Sequence, residues 1–184
     1  MSTFANVSVG NPWTNVAIFV APTGTTLPTD ASTALAAAFK DLGFVSEDGV
    51  VNNNSVESDS IKSWGGQTVL TPATEFTDEF TLTLIESMNT DVLNTVYGST
   101  NVTATSSTIS INVNAKERVA LSFVIDVAMT GGALKRIVIP SGQISEIGEI
   151  TYKDDEPIGY EITISALPDS SGNNHYEYIK LATT

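Results

Sequence analysis

The chain has no cysteine. Disulfide scaffolds and thiolate-bound zinc or iron–sulfur centres are therefore excluded. It has a single histidine, His175, which removes three-histidine metal sites, His-Glu-x-x-His zinc proteases and paired-histidine chemistry. Positive charge is scarce: eight Lys and Arg stand against 21 Asp and Glu, a formal net charge of −13, with a pI of about 4.1. Such a chain does not wrap a phosphate backbone, because nucleic-acid binders present basic patches. Charged residues of both signs are only 16 % of the total, against about 25 % in an average protein. Thr, Ser and Asn must then cover much of the surface, a composition that suits extended sheets. No apolar run reaches the roughly 18 residues of a membrane helix. The longest, around Val119–Met129, is broken by Ser122 and Asp126. The opening MSTFANVSVGNPWTNVAIF has neither a basic nor an apolar region, so no secretory signal is expected. The sequons at Asn6, Asn53 and Asn101 then carry little meaning.

What remains is enough for one domain. A chain of 184 residues with 41 % hydrophobic residues can bury a core, and disorder of the whole is excluded. Residues 1–34 show no sustained period and read as an N-terminal arm, with one strand expected at Val16–Val20. Ala34–Leu42 has helix-forming residues up to Gly43 and predicts one or two helical turns. Residues 45–72 read as a long loop region, with strands expected at Phe44–Val51 and Gln67–Leu70. Its segment 52–63 (NNNSVESDSIKS) has almost no apolar content and is expected to be mobile in the monomer.

Ala73–Glu86 predicts a half-buried antiparallel strand. Phe76, Phe80, Leu82 and Leu84 share one face, broken once by Asp78, and Thr77, Glu79, Thr81 and Thr83 share the other. Asn89–Tyr97 predicts a helix, with Asn89 or Thr90 as cap, Asp91 in its first turn and Gly98 as its stop. Strands follow at Ser107–Val113, with Thr108, Ser110 and Asn112 on its polar side, and at Arg118–Met129. A turn is expected at Gly131-Gly132 and a strand at Leu134–Ile139, ended by Pro140. Gln143–Lys153 and Ile158–Leu167 read as a hairpin, and Tyr176–Leu181 as a last strand. The fold expected is mainly β: a single antiparallel sandwich or barrel with one short helix.

No motif carries chemistry. His175 follows a Gly-Asn-Asn turn and no Gly-x-Ser-x-Gly elbow exists, so it reads as an exposed turn histidine. Carboxylate pairs occur by chance among so many acids. Asp154-Asp155-Glu156 lacks the spacing of a calcium loop and reads as a solvated hairpin tip. Neither glycine pair precedes Lys-Ser/Thr as in a phosphate loop. Trp64 can stack a sugar or base, or pack as an anchor or subunit contact; packing ranks first. No cofactor, metal or membrane is expected, and no enzymatic activity.

Specific residues then speak together. Leu42-Gly43-Phe44-Val45-Ser46-Glu47-Asp48-Gly49, Ile61–Val69 with Trp64-Gly65-Gly66, and Phe80–Glu86 with Val92-Leu93 and Val96-Tyr97-Gly98 come first. Gly148–Glu156, Ile158–Ile164 and Pro168-Asp169 follow in order. This series resembles the major tail tube proteins of long, flexible-tailed phages of the siphovirus type, especially those infecting actinobacteria. The resemblance implies a β-subunit with one helix that forms hexameric rings stacked into a tube, the conduit for genome ejection. It implies a lumen-lining sheet and contact of the 45–72 region with the neighbouring ring. It also implies assembly in the host bacterial cytoplasm around a tape-measure protein with tail assembly chaperones, and DNA passing without specific binding. The lumen candidates are then Thr77, Glu79, Thr81 and Thr83, with Thr108, Ser110 and Asn112 as a second set. The inter-ring candidates are Asn52, Asn53, Asn54, Glu57, Asp59, Lys62 and Trp64. Removing 52–63 is expected to block polymerisation and spare the fold. Competing readings are a carbohydrate-binding β-sandwich with Trp64, Tyr176 or Tyr178 as platforms, and the tube of a bacterial contractile injection or secretion apparatus.

Overall fold

The computed structural model describes residues 7–13 and 17–182. It is mainly β. Among the described residues, nine strands form one antiparallel sheet: β1 (Gly10–Pro12), β2 (Ile18–Pro22), β3 (Lys40–Asp41), β4 (Val45–Ser58), β7 (Ala73–Leu84), β10 (Leu121–Met129), β11 (Leu134–Ile147), β12 (Tyr160–Ala166) and β13 (Tyr176–Lys180). Its order is β3-β2-β10-β11-β12-β7-β4, with β1 added to β10 and β13 added to β11. Two small hairpins stand apart, β5 (Ile61–Lys62) with β6 (Thr68–Leu70), and β8 (Val102–Ala104) with β9 (Ile109–Ile111). Among the described residues the sheet does not close into a barrel.

The one α-helix among the described residues, α1 (Thr90–Tyr97), forms as its sequence dictates. The Asn89 side chain accepts the Asp91 N–H at 2.9 Å, Asp91 lies in the first turn, and Gly98 ends the helix at φ +89°. Val92, Leu93 and Val96 are fully buried in one cluster with Ile18 and Val20 of β2, Phe123 and Ile125 of β10, Phe80, Leu82 and Leu84 of β7, and Ile162 and Ile164 of β12. Strands from both halves of the sheet thus share one core with the helix. This is how a helix of eight residues persists, since its own propensity is too weak.

β10 is buried on both faces, which explains the long apolar run. Phe123 and Ile125 face the helix, whereas Ser122, Val124 and Asp126 face a second layer. There Val124 opposes Val138 and Asp126 opposes Arg136 across the ladder. Ala31 lies buried in the loop between β2 and β3, and that loop is held by Arg136, whose Nη1 donates to the carbonyls of Asp30 (3.2 Å) and Thr33 (2.7 Å). The Asp30 carboxylate in turn accepts from the Thr33 hydroxyl and from the N–H groups of Ser32 and Thr33. These bonds, the Thr33 hydroxyl first, hold its pKa well below the ordinary carboxylate range.

Four expectations are corrected here. The N-terminal arm does not extend unbroken to residue 34, because Ile18–Pro22 form β2 where a strand was expected, and 23–39 form the loop from β2 to β3; Val16 lies outside the described residues. Ala34–Leu42 is not helical. It makes a turn (Phe39 N–H to Ala36 O, 2.9 Å) and then β3, and the Leu42 N–H bonds the Ile18 carbonyl while its side chain fills the core. Pairing with β2 and burial of Leu42 outweigh the propensity of a short alanine-rich run. Pro140 does not end its strand. It occupies a bulge in β11, where the register to β10 shifts between Leu121 and Phe123, and its carbonyl accepts the Ser122 hydroxyl at 2.7 Å. The segment 52–63 is not a loop. Residues 52–58 belong to β4 and pair with β7 from Asn52↔Phe80 to Ser58↔Ala73. A long partner strand overrides the weak β propensity of Asn and Ser.

Gly43 sets the turn from β3 into β4. It has φ +73°, and a Cβ there would lie 2.0 Å from the Glu86 carboxyl carbon. That carboxylate accepts the Phe44 N–H (3.1 Å) and the Asn89 side-chain amide (3.0 Å). Gly43→Ala is expected to cost about 2–4 kcal/mol, from left-handed backbone strain plus displaced charged hydrogen bonds. The shift of the urea midpoint measures it.

Candidate functional site

Two surfaces stand out, and both are built on the β4–β7 pair. The first is the polar face of β4, β7 and β12. In β7, Thr77, Glu79, Thr81 and Thr83 share it, opposite the buried Phe80, Leu82 and Leu84. Cross-strand register extends it. Thr83, Thr81 and Glu79 oppose Glu161, Thr163 and Ser165 of β12, and Thr81, Glu79 and Thr77 oppose Val51, Asn53 and Ser55 of β4. The Thr81 and Thr163 hydroxyls are 3.2 Å apart, and the Ser165 hydroxyl donates to Glu79 at 3.1 Å. Further out, Glu57 opposes Glu75. No Lys or Arg occurs in β4, β7 or β12. Apart from Val51, the face is therefore a strip of hydroxyls, amides and carboxylates with no cation on its strands. Glu161, Thr163 and Ser165 were missed as site residues, although the period-two alternation of Tyr160–Ala166 marks them.

The second set of polar candidates lies elsewhere. Ser110 is in β9 and Thr108 and Asn112 flank it, in the two-stranded sheet with β8. The Thr108 hydroxyl bonds Thr105 across the hairpin turn, at 2.7 Å. The structure does not bring this set onto the β4–β7–β12 face.

The second surface is a hairpin arm. β12 pairs with β7 only over Glu79–Leu84, so beyond Glu79 the strands β4 and β7 pair only with each other. Along this arm the core-side face continues outward through Val56 and Phe76, which oppose each other and are 60 % and 49 % exposed. β5 and β6 carry the arm further, with Asp59 N–H bonding Pro72 O at 3.1 Å where they begin. Lys62 lies in β5, and Trp64 sits in the turn before Gly65-Gly66, fully exposed. Asn53, Asn54 and Glu57 are exposed along β4. Asn52 is a brace, its amide donating to Asp78 (2.9 Å) and to the Glu79 carbonyl (3.1 Å).

At the root of the arm lies a correction. His175 is not an exposed turn residue. Its Nδ1 is 2.5 Å from a carboxylate oxygen of buried Asp78, and its ring meets Phe80 edge to face, with centroids 5.2 Å apart. Asp78, which interrupts an otherwise apolar face in the sequence, is the partner that makes a buried polar group acceptable there. Sequence distance hid the pair: 97 positions separate the two residues. The neighbouring turn is ordered by Asp169, which accepts the Tyr176 hydroxyl at 2.7 Å and the Ser171 and Asn173 N–H groups. Led by the tyrosine bond, these lower its pKa and raise that of Tyr176. Tyr176 and Tyr178 stack in β13 at 6.4 Å, whereas Trp64 sits in the turn between β5 and β6.

An open antiparallel sheet with a partly exposed apolar arm is the build of a subunit that associates through its strands and hairpins. Comparison with known proteins is more specific. The sequence pattern of the phage tail tube protein family matches residues 14–183, and the chain belongs to that family. It is accordingly a structural component of a phage tail. No curated protein sequence matches it. Among solved structures, the tube-terminating cap of the anti-feeding prophage, determined by cryo-electron microscopy, is similar at a TM-score of 0.44 and 10 % identity, over 99 % of this chain and 100 % of that one. No helix in the described residues is long and apolar enough to cross a membrane.

Proposed function

We propose that this chain is the repeating protomer of the tail tube of a long, flexible-tailed phage. Copies close into hexameric rings, the rings stack, and the polar face of β4, β7 and β12 lines the channel. The observation that carries the assignment of the face is its charge: Glu79 and Glu161 on strands with no Lys or Arg. A channel wall of this kind repels phosphate, so DNA slides through it without the counterion-releasing contacts that would hold it. The hydroxyls of Thr77, Thr81, Thr83 and Thr163 keep it wet. The arm, with Asn53, Asn54, Glu57, Asp59, Lys62 and Trp64, contacts the neighbouring ring. The tube assembles in the host bacterial cytoplasm, around a tape-measure protein and with tail assembly chaperones. The whole chain acts as one tail-tube domain.

Negative-stain electron microscopy at rising protein concentration, paired with a sizing column, tests this reading. Rings or tubes with a central channel are the expected result; solid fibres, or a monomer at every concentration and in the presence of tail initiators, would overturn it. The face is tested separately in the cysteine-free background. Thr81→Cys is expected to react with a small maleimide in assembled tubes and to be protected from a bulky polymer-linked one. Equal reactivity with both, in tubes and monomer alike, would place Thr81 on the outer surface.

A further inference from the structure

A groove of about 450 Å³ opens beside α1, between the helix end, the segment 116–119 and the strands β2 and β3. Its walls include Tyr97, Val119 and Leu121, and Lys40, Lys116 and Arg118 stand around it. Val119 is 80 % exposed. We infer that this groove is the seat for the Trp64 hairpin of a second copy of the chain. The inference rests on the reading that the arm mediates assembly and names the surface that receives it.

Three observations lead there. The first is charge. Of the eight Lys and Arg, Arg136 is buried against Asp126, Lys135 pairs with Glu177 and Lys153 pairs with Glu156. Lys40, Lys116 and Arg118 form no ion pair among the described residues, so this groove gathers most of the cations left over. Arg118 is aimed by its Nε, which donates to the Val96 carbonyl at 2.7 Å. Two acids also line the groove, Asp91 and Glu117, leaving a positive balance. The arm as a whole is the complement, with Glu57, Asp59 and Glu75 against one Lys62, although the tip segment 59–72 is itself neutral. Complementary charge steers encounter and fixes register.

The second is shape and chemistry. The tip presents an indole on a pre-formed turn, in which Gly66 (φ +82°) bonds the Ser63 carbonyl and Ser63 bonds that of Gln67. A rigid, exposed tryptophan is the commonest kind of interface anchor, and it needs a desolvated pocket on its partner. A mostly apolar groove of this volume holds an indole. The third is reach. Ten residues on each side separate Asn54 and Asp78 from Trp64 and Thr68, up to about 33 Å of extended chain. The radius of gyration of a compact chain of this length is about 16 Å. The arm therefore carries its tip away from its own body and toward another copy, in keeping with the full exposure of Trp64.

Because the chain lacks cysteine, cross-linking is clean. Gly65→Cys, which keeps the indole and places a Cβ in open space, and Val119→Cys proteins, mixed and oxidised under assembly conditions, should give a disulfide-linked heterodimer, and the double variant a ladder of multimers. Trp64→Ala should raise the critical concentration for assembly about thirtyfold or more, with the melting temperature unchanged. Val119→Asp should do the same. Tubes that form from the mixed cysteine variants without any disulfide between them, or tubes unaffected by Trp64→Ala, would overturn the seat and leave the tube reading standing. A heterodimer absent while the double variant cyclises within one chain would do so too, as would a tape-measure segment occupying the groove in its place. Failure of the wild-type chain to assemble at all would overturn both.

Discussion

Arg136→Met should remove a large share of the chain's stability, about 3–5 kcal/mol or more. The guanidinium is 2 % exposed and faces a 4 % exposed Asp126, with Nε and Nη2 on its two oxygens at 2.6 and 2.8 Å. Removing one partner of such a pair strands a buried charge, at a cost of about 3–5 kcal/mol. A domain has only about 5–15 kcal/mol in total. The loss is compounded, because the same arginine is the donor for the Asp30 and Thr33 carbonyls. Without it the loop between β2 and β3 loses both of these bonds. The double variant Arg136→Met with Asp126→Leu should recover part of the loss. An apolar pair fills the site without a stranded charge, but the loop carbonyls remain without a donor, so recovery stays incomplete. Urea unfolding of the single and double variants measures both effects. A single-variant loss below about 1 kcal/mol, the range of an exposed pair, would show that water reaches Asp126 and that the second layer is not closed.

This clamp also shows where sequence reading stops. Asp126 was legible only as a break in an apolar run, and Arg136 not at all. Their pairing depends on ladder register, and the third participant lies more than a hundred positions away. The same is true of Asp78 and His175. Local signals fared better. The alternation of β7 and the capping, first-turn acid and stop glycine of α1 are set by neighbours within a few residues, and the structure matches them. So does the antiparallel, one-helix fold class. In β4, Val45–Val51 fall within the strand expected at Phe44–Val51, whereas residues 52–58 failed for the opposite reason. Their Asn and Ser side chains carry no apolar period because both faces of the outer strand are exposed, so only backbone pairing with β7 reveals them. Of the polar face, the β7 half was readable from alternation. Its continuation onto Glu161, Thr163 and Ser165 required knowing that β12, not β11, is the next neighbour of β7.

The register of β4 changes which deletion isolates assembly from folding. Removing 52–63, which the sequence suggested would spare the fold, takes away Asn52, the brace on Asp78, and strips β7 of its outer partner over seven ladder positions, Asn52 to Ser58. That variant should be destabilised as well as assembly-defective, and its failure to polymerise would mean little. The informative excision begins beyond the ladder. Ser58 opposes Ala73, so residues 59–72 can be replaced by an Asn-Gly turn, which closes a two-residue hairpin with the strand twist already present. None of the removed side chains belongs to the core cluster. The monomer should therefore melt within a few degrees of wild type, while rings and tubes disappear and the critical concentration rises about a hundredfold or more. A sizing column, electron microscopy and thermal melting on the same sample read all three quantities. Normal tubes from this chain would remove the arm tip from the interface. The association would then rest on Val56, Phe76 and the free edge of β4, the unpaired surfaces that remain.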